Sequence, residues 1–172
     1  MEEHPPQPKF YIEPLGAKHN RAAFSCGVSP LDKYLQTQAS QDLKKRLAAV
    51  YVLTPDGSTI AGYYTLSAFS VRLDKIPEEI ARKLTRMPEV PATLVGRLAG
   101  SSAFRGQGVG EILLTDALKR SLAGSKHVAS WTVIVDAKDA NALAFYKKYG
   151  FIELPTTPNR LFLPMETIAK LP

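Results

Sequence analysis

Apolar positions fall along this chain in two rhythms, short β-rich runs and stripes at helical spacing. Phe10 to Leu15 reads as a first strand. Leu31, Tyr34 and Leu35 then recur at helical spacing behind Ser29-Pro30-Leu31-Asp32. Ser29 suits an N-cap, Pro30 the first helical position and Asp32 the positive end of the dipole. The spacing predicts a helix to about Arg46, where Lys44-Lys45-Arg46 place cations at the negative end. Ala48–Thr54 and Ile60–Val71 are β-rich, Gly62 interrupting the second, and they flank the turn Pro55-Asp56-Gly57-Ser58 as a hairpin would. Pro77 to Arg86 predicts a short helix carrying Arg82, Lys83 and Arg86, and Pro88 and Pro91 break the chain ahead of a strand at Thr93–Ala99.

From there the order changes. The strand leads through a Gly-rich loop at 105–110 into a helix over about 109–123, which Gly124 ends. Val128 to Val135 is a near-continuous apolar run. Strand, crossover helix and strand predict a parallel βαβ unit covered on both faces. A second helix, Ala140 to Tyr149, stops at Gly150, and β-rich stretches at 151–154 and 160–163 flank Pro155–Asn159. With no internal repeat and no long linker, one domain over 1–172 is expected, with residues 1–9, polar and Pro-rich, as a mobile lead-in.

Composition narrows the class. The chain has 172 residues, 45% of them hydrophobic, enough for a sizeable core. No apolar run reaches the ~18 residues of a membrane span. The start lacks a basic segment followed by an apolar one, so no signal peptide is expected. Cys26 is the only cysteine, which excludes an intrachain disulfide and a cysteine–zinc cluster and favours a reducing cytoplasm. It is expected to be a small packed residue in the turn before the first helix. His4, His19 and His127 share no metal or triad spacing and are expected at the surface; Asp136 and Asp139 are expected in loops. The net charge of +6 and pI of 9.4 fit polyanion partners and an ordinary basic surface equally.

Candidate chemistry concentrates in Arg105-Gly106-Gln107-Gly108-Val109-Gly110. A helix start leaves N–H groups unpaired and carries partial positive charge. Glycines let an anion approach the backbone, and Arg105 adds a full cation. Glu111 stands where a P-loop needs lysine, and neither Glu111 nor Leu113 supplies the third glycine of a dinucleotide fingerprint. A diphosphate site and a ligand-free tight turn both remain open from these residues alone.

The loop resembles the Q/R-x-x-G-x-G/A motif of the GCN5-related N-acetyltransferase (GNAT) family. Downstream, Asn141-Ala142-Leu143-Ala144-Phe145-Tyr146-Lys147-Lys148-Tyr149-Gly150-Phe151 resembles that family's N-x-x-A-x-x-F-Y-x-x-x-G-F signature. The resemblance implies an α+β fold, an α/β/α sandwich with a mixed central sheet. It implies acetyl-CoA as donor, its pyrophosphate on the amides of Arg105, Gly106, Gln107, Gly108, Val109 and Gly110, and its pantetheine arm along the strand ending in Leu98, Ala99 and Gly100. It makes Tyr146 the general acid for the leaving thiolate, the thioester carbonyl a hydrogen-bond acceptor from an amide of 98–100, and Asn141 a residue that bonds the cofactor or positions the Tyr146 helix. A core role for Phe145, Tyr146 and Tyr149 and a helix-start role for Asn141 are the structural alternatives.

A finer resemblance spans most of the chain. Phe24-Ser25-Cys26-Gly27, then Leu31-Asp32-Lys33-Tyr34-Leu35, is similar to the opening of acetyltransferase toxins of bacterial type II toxin–antitoxin modules; Gly62–Ser67, Gly96–Ala99 and Leu161–Met165 match too. Gly100-Ser101 departs from the valine or isoleucine plus aspartate common there. The likeness implies N-acetylation of aminoacyl-tRNA, arrest of translation, a ribbon-helix-helix antitoxin and a homodimer. Lys33, Lys44, Lys45, Arg46, Arg82, Lys83, Arg86 and Arg97 are the candidate tRNA contacts. The alternatives are a housekeeping acetyltransferase of a small amine or protein N-terminus, and a non-catalytic CoA-binding module.

Overall fold

The computed structural model describes residues 10–84 and 86–172, so the lead-in expected at 1–9 lies outside the described residues. Strands β1 (Tyr11–Pro14), β2 (Ala49–Thr54), β3 (Gly62–Arg72), β4 (Glu89–Gly100), β5 (Thr132–Asp136), β6 (Ile152–Glu153) and β7 (Arg160–Pro164) hydrogen-bond in the order β1-β2-β3-β4-β5-β7-β6. β4 and β5 are parallel, from Ala92↔Thr132 to Val95↔Val135. The β1–β2, β5–β7 and β6–β7 pairs are antiparallel, so the sheet is mixed, as expected. A parallel pair needs a crossover, and helix α4 (Val109–Gly124) provides it. The remaining helices among the described residues are α1 (Ser29–Thr37), α2 (Ala39–Lys44), α3 (Glu78–Ala81), α5 (Ala140–Lys148) and α6 (Met165–Ile168).

The chain forms two compact units, one of residues up to Thr65 with Arg97–Asp116, the other of Leu66–Gly96 with Ala117–Pro172. In the first, Leu15, Phe24, Tyr34, Leu35, Val50, Val52, Tyr63 and Ala99 form a common core. Phe24 meets Tyr63 edge-on at 5.4 Å, and the Tyr63 hydroxyl donates to the Leu31 carbonyl at 2.7 Å, which ties α1 to β3. In the second, Val71, Val90, Ala92, Ile134 and Phe162 pack together, with Trp131 stacked on Phe162 at 5.8 Å.

Several expectations are corrected. The first helix is broken at Gln38. Arg46, at φ 60, ends α2 in a left-handed turn in which the Leu47 amide reaches back to the Asp42 carbonyl. Ser29 lies inside α1 and caps nothing, because Val28 holds the N-cap without a side-chain bond. The Asp32 carboxylate instead accepts from the Cys26 amide at 2.8 Å. The helix expected over Pro77–Arg86 is only α3, so Arg82, Lys83 and Arg86 lie beyond it. β4 starts earlier and runs through Pro91, which donates nothing but accepts from the Trp131 amide at 2.8 Å. The strand expected from Val128 begins at Thr132, leaving Val128 79% exposed. His19 is buried, its Nδ1 accepting from the Gly16 amide and its Nε2 paired with Glu13 at 2.7 Å.

Candidate active site

The loop after β4 is built by a chain of backbone bonds. The Ser101 amide donates to the Ala61 carbonyl and the Ser102 amide to the Ser25 carbonyl, both at 2.8 Å. Ser101 caps a single 3-10 turn over Ser102–Phe104, its hydroxyl accepting from the Ala103 amide. Gly106 and Gly108 then take φ of +81° and +73°, where a side chain would be strained, and turn the backbone into α4. The Ile112 amide bonds the Gly108 carbonyl, so the amides just before it stand at a helix start without intrahelical acceptors. A Cβ at Gly106 or Gly108 would meet nothing within 4 Å. The loop therefore presents exposed, positively polarised backbone to open space, with Arg105 beside it, and these residues fit a diphosphate.

Val109 fixes the loop from below. It is 6% exposed, and its Cγ1 sits where side chains at Gly62 and Gly100 would be, 2.8 and 3.1 Å from an ideal Cβ. Small residues on β3 and at the end of β4 thus let the first turn of α4 come close. Ala99, like Gly62, is buried, while Leu98 and Gly100 are partly exposed at the same strand end.

Arg97 stands over the Tyr34 ring, its guanidinium carbon 3.4 Å from the centroid. Tyr34 donates to Asp42 at 2.8 Å. Burial first, and this bond second, push its phenol up to about 12. Asp42 also accepts from Gln38 and is held below the usual carboxyl range, chiefly by the Gln38 and Tyr34 bonds and then by the Arg97 and Lys45 charges. The Arg97 and Lys45 charges therefore act on one carboxylate, and Lys33, Lys44, Lys45 and Arg46 all stand exposed.

In the second unit, Asp139 caps α5, accepting from the Ala142 amide at 2.8 Å, which leaves Asn141 exposed in the first turn with no capping duty. Tyr146 is 6% exposed between the rings of Phe145 and Phe151, at 5.4 and 5.5 Å. Burial foremost, and the Asp136 charge second, push its phenol up to about 12, so it stays protonated at neutral pH. Among the described residues nothing hydrogen-bonds its hydroxyl, which is therefore available to donate. Asp136, expected in a loop, ends β5 and holds Arg160 by two bonds of 2.7 and 2.9 Å. Arg82, Lys83 and Arg86 are exposed in the same unit.

Residues 47–153 match the acetyltransferase (GNAT) domain family. The chain belongs to the GNAT family. Over 172 aligned residues it is 34% identical to a Sinorhizobium fredii protein named probable toxin TacT, covering 95% of each chain. It is 32% identical to the tRNA-acetylating toxin of Mycobacterium tuberculosis, covering 84% of this chain and 85% of that one. Among solved structures, AtaT complexed with acetyl-methionyl-tRNAfMet superposes with a TM-score of 0.87 at 28% identity, covering 94% of this chain and 98% of that one. A tyrosine-to-phenylalanine mutant of AtaT has also been solved with the C-terminus of the antitoxin AtaR and acetyl-CoA.

Sequence reasoning missed Gly27, Gly62 and Val109 as shapers of the loop. Both glycines had a signal: Gly27 its place in the Phe24–Gly27 motif, Gly62 its place at the head of the matching Gly62–Ser67 stretch.

Proposed function

We propose that this GNAT chain transfers acetyl from acetyl-CoA to the α-amino group of aminoacyl-tRNA and acts as the toxin of a toxin–antitoxin module, blocking translation. The observation that carries this reading is likeness along the whole chain. The GNAT domain match ends at residue 47 on one side and 153 on the other, whereas the TacT match covers 95% of both chains. The N-terminal region with the Phe24–Gly27 turn and α1 thus belongs to the likeness.

Acetyl-CoA brings the acetyl group activated as a thioester. The amides of Gly106, Gly108, Val109 and Gly110 and the Arg105 guanidinium would hold its diphosphate, whereas the Arg105 and Gln107 amides, expected there too, already donate to the Ser102 and Phe104 carbonyls; the backbone of Leu98–Gly100 would hold the pantetheine arm and donate to the thioester carbonyl as charge develops there. Asn141, exposed in the first turn of α5 that Asp139 caps, bonds the cofactor. Tyr146 gives its proton to the leaving thiolate. An α-amino group titrates near about 7.7–8.0 and lower when its carboxyl is esterified, so much of the acceptor is neutral at pH 7 and no strong base is required. Lys33, Lys44, Lys45, Arg46, Arg82, Lys83, Arg86 and Arg97 supply phosphate contacts. Residues 1–172 act as one acetyltransferase domain, in the cytoplasm, as a homodimer restrained by a ribbon-helix-helix antitoxin.

The test is incubation of the purified protein with acetyl-CoA and total charged tRNA, then mass analysis of the released amino acids. N-acetylated amino acids from one or a few tRNA species are expected. Acetylation of free amines with charged tRNA untouched would refute the reading.

A further inference from the structure

The Phe24–Gly27 turn is joined to the anion-binding loop by contacts that the reaction itself does not require. The Ser25 carbonyl accepts from the Ser102 amide at 2.8 Å, at the root of the loop. Arg105 Nη2 donates to the Ser102 hydroxyl at 3.4 Å. Gly27 has φ +85°, and a Cβ there would lie 3.4 Å from Arg105 Nη2 and 4.0 Å from the Ser102 hydroxyl. The guanidinium is thus held by the Ser102 hydroxyl beside the space that a Gly27 side chain would take.

The turn is itself fixed. The Phe24 ring is 3% exposed in the core, edge-on to Tyr63. Next along the turn, the Cys26 amide is held by the Asp32 carboxylate at 2.8 Å, in the first turn of α1. Arg105 is otherwise an exposed side chain, and a long cation in water samples many rotamers. Bracing it on Ser102, beside Gly27, limits the rotamers it must give up when it meets an anion.

We propose that the Phe24–Gly27 turn is a positioning device for Arg105, with Gly27 and Ser102 as positioning residues that set acetyl-CoA affinity. The inference rests on the reading of the 105–110 loop as the acetyl-CoA diphosphate site. A methyl group at Gly27 would strain a left-handed backbone and fill the space beside the guanidinium, 3.4 Å from Nη2. Loss of the Ser102 hydroxyl would release the guanidinium while keeping the backbone bond to Ser25.

The experiment measures acetyl-CoA Kd by calorimetry, and KM and kcat, for Gly27→Ala, Ser102→Ala and Arg105→Gln, and for each of the first two combined with Arg105→Gln. Arg105→Gln alone is expected to weaken acetyl-CoA about tenfold, the loss of one charge-assisted contact. Gly27→Ala and Ser102→Ala are expected to raise Kd and KM about two- to fivefold with a smaller change in kcat, and to add nothing once Arg105 is glutamine. The same penalty in both backgrounds would overturn the positioning role. Should Gly27→Ala fail to fold, the Ser102→Ala pair decides alone. If Arg105→Gln binds acetyl-CoA like the wild type, Arg105 is no diphosphate contact and the positioning role falls with it; if Gly108→Ala also binds like the wild type, the assignment of the loop itself fails, a distinct outcome.

Discussion

Gly62→Ala tests how closely the anion loop is tied to the sheet. A Cβ at Gly62 would lie 2.8 Å from both Leu113 Cδ1 and Val109 Cγ1, and 3.0 Å from the Ala99 carbonyl oxygen. Real Cβ contacts are longer, so something must move. Leu113 is 0% and Val109 6% exposed, so neither side chain has space to rotate into, and the Ala99 oxygen is backbone. The strain can be relieved only by shifting the first turn of α4, which carries the loop amides. Overpacking of this kind costs about 1–3 kcal/mol. In a domain of this length that lowers Tm by about 2–4 °C per kcal/mol. The assay pairs thermal melts with acetyl-CoA titration. Gly124→Ala is the control: a Cβ there meets nothing within 4 Å at the end of the same helix, and alanine for glycine in a helix is neutral or stabilising by up to about 1 kcal/mol. Gly62→Ala is expected to lose both stability and acetyl-CoA affinity. A variant with wild-type Tm and wild-type affinity would refute the close-packing argument.

Gly108→Ala should behave differently: its φ of +73° costs alanine about 1–2 kcal/mol, yet its Cβ enters open space, so melts should change modestly while calorimetry shows a larger loss of acetyl-CoA affinity. Tyr146→Phe removes a hydroxyl that bonds no described residue, so Tm and acetyl-CoA affinity should hold while kcat falls by about 10²–10⁴, and near-normal turnover would end the acid assignment. Because the phenol is raised to about 12, an acid that must stay protonated does so throughout the working range. The pH–rate profile should therefore climb with deprotonation of the acceptor amine and then level as the pH passes about 8; a falling limb there would point to another acid. Tyr63→Phe removes the buried hydroxyl that donates to the Leu31 carbonyl and should cost about 1 kcal/mol in urea denaturation.

The parts of the fold that repeat a simple physical pattern were legible. The βαβ unit announced itself by an apolar strand, a glycine-rich turn and a long helix, and β4, α4 and β5 follow in that order. The loop was legible as a glycine-rich turn into a helix, though the positive φ of Gly106 and Gly108 emerges only in the structure. What escaped depended on contacts distant in sequence. The break at Gln38 leaves no mark on the apolar spacing, and Arg46 adopts a left-handed turn that its residue type does not favour. Pro91 reads as a breaker, yet its position needs only an acceptor, which the carbonyl supplies to Trp131. His19 reads as polar, yet both ring nitrogens find partners and the ring is buried. The contact of Gly27 with Arg105 joins segments far apart along the chain, so the motif could be noticed but not explained.

The position of Arg97 over the Tyr34 ring sets this cation apart thermodynamically from the others proposed to meet tRNA. Lys33, Lys44 and Arg46 stand in solvent and would surrender rotamer freedom on meeting a phosphate. Arg97 has already surrendered much of it to the ring. Its planar fork is pre-ordered, so its share of association carries a smaller entropic penalty, and lysine in its place would restore the charge without restoring that order.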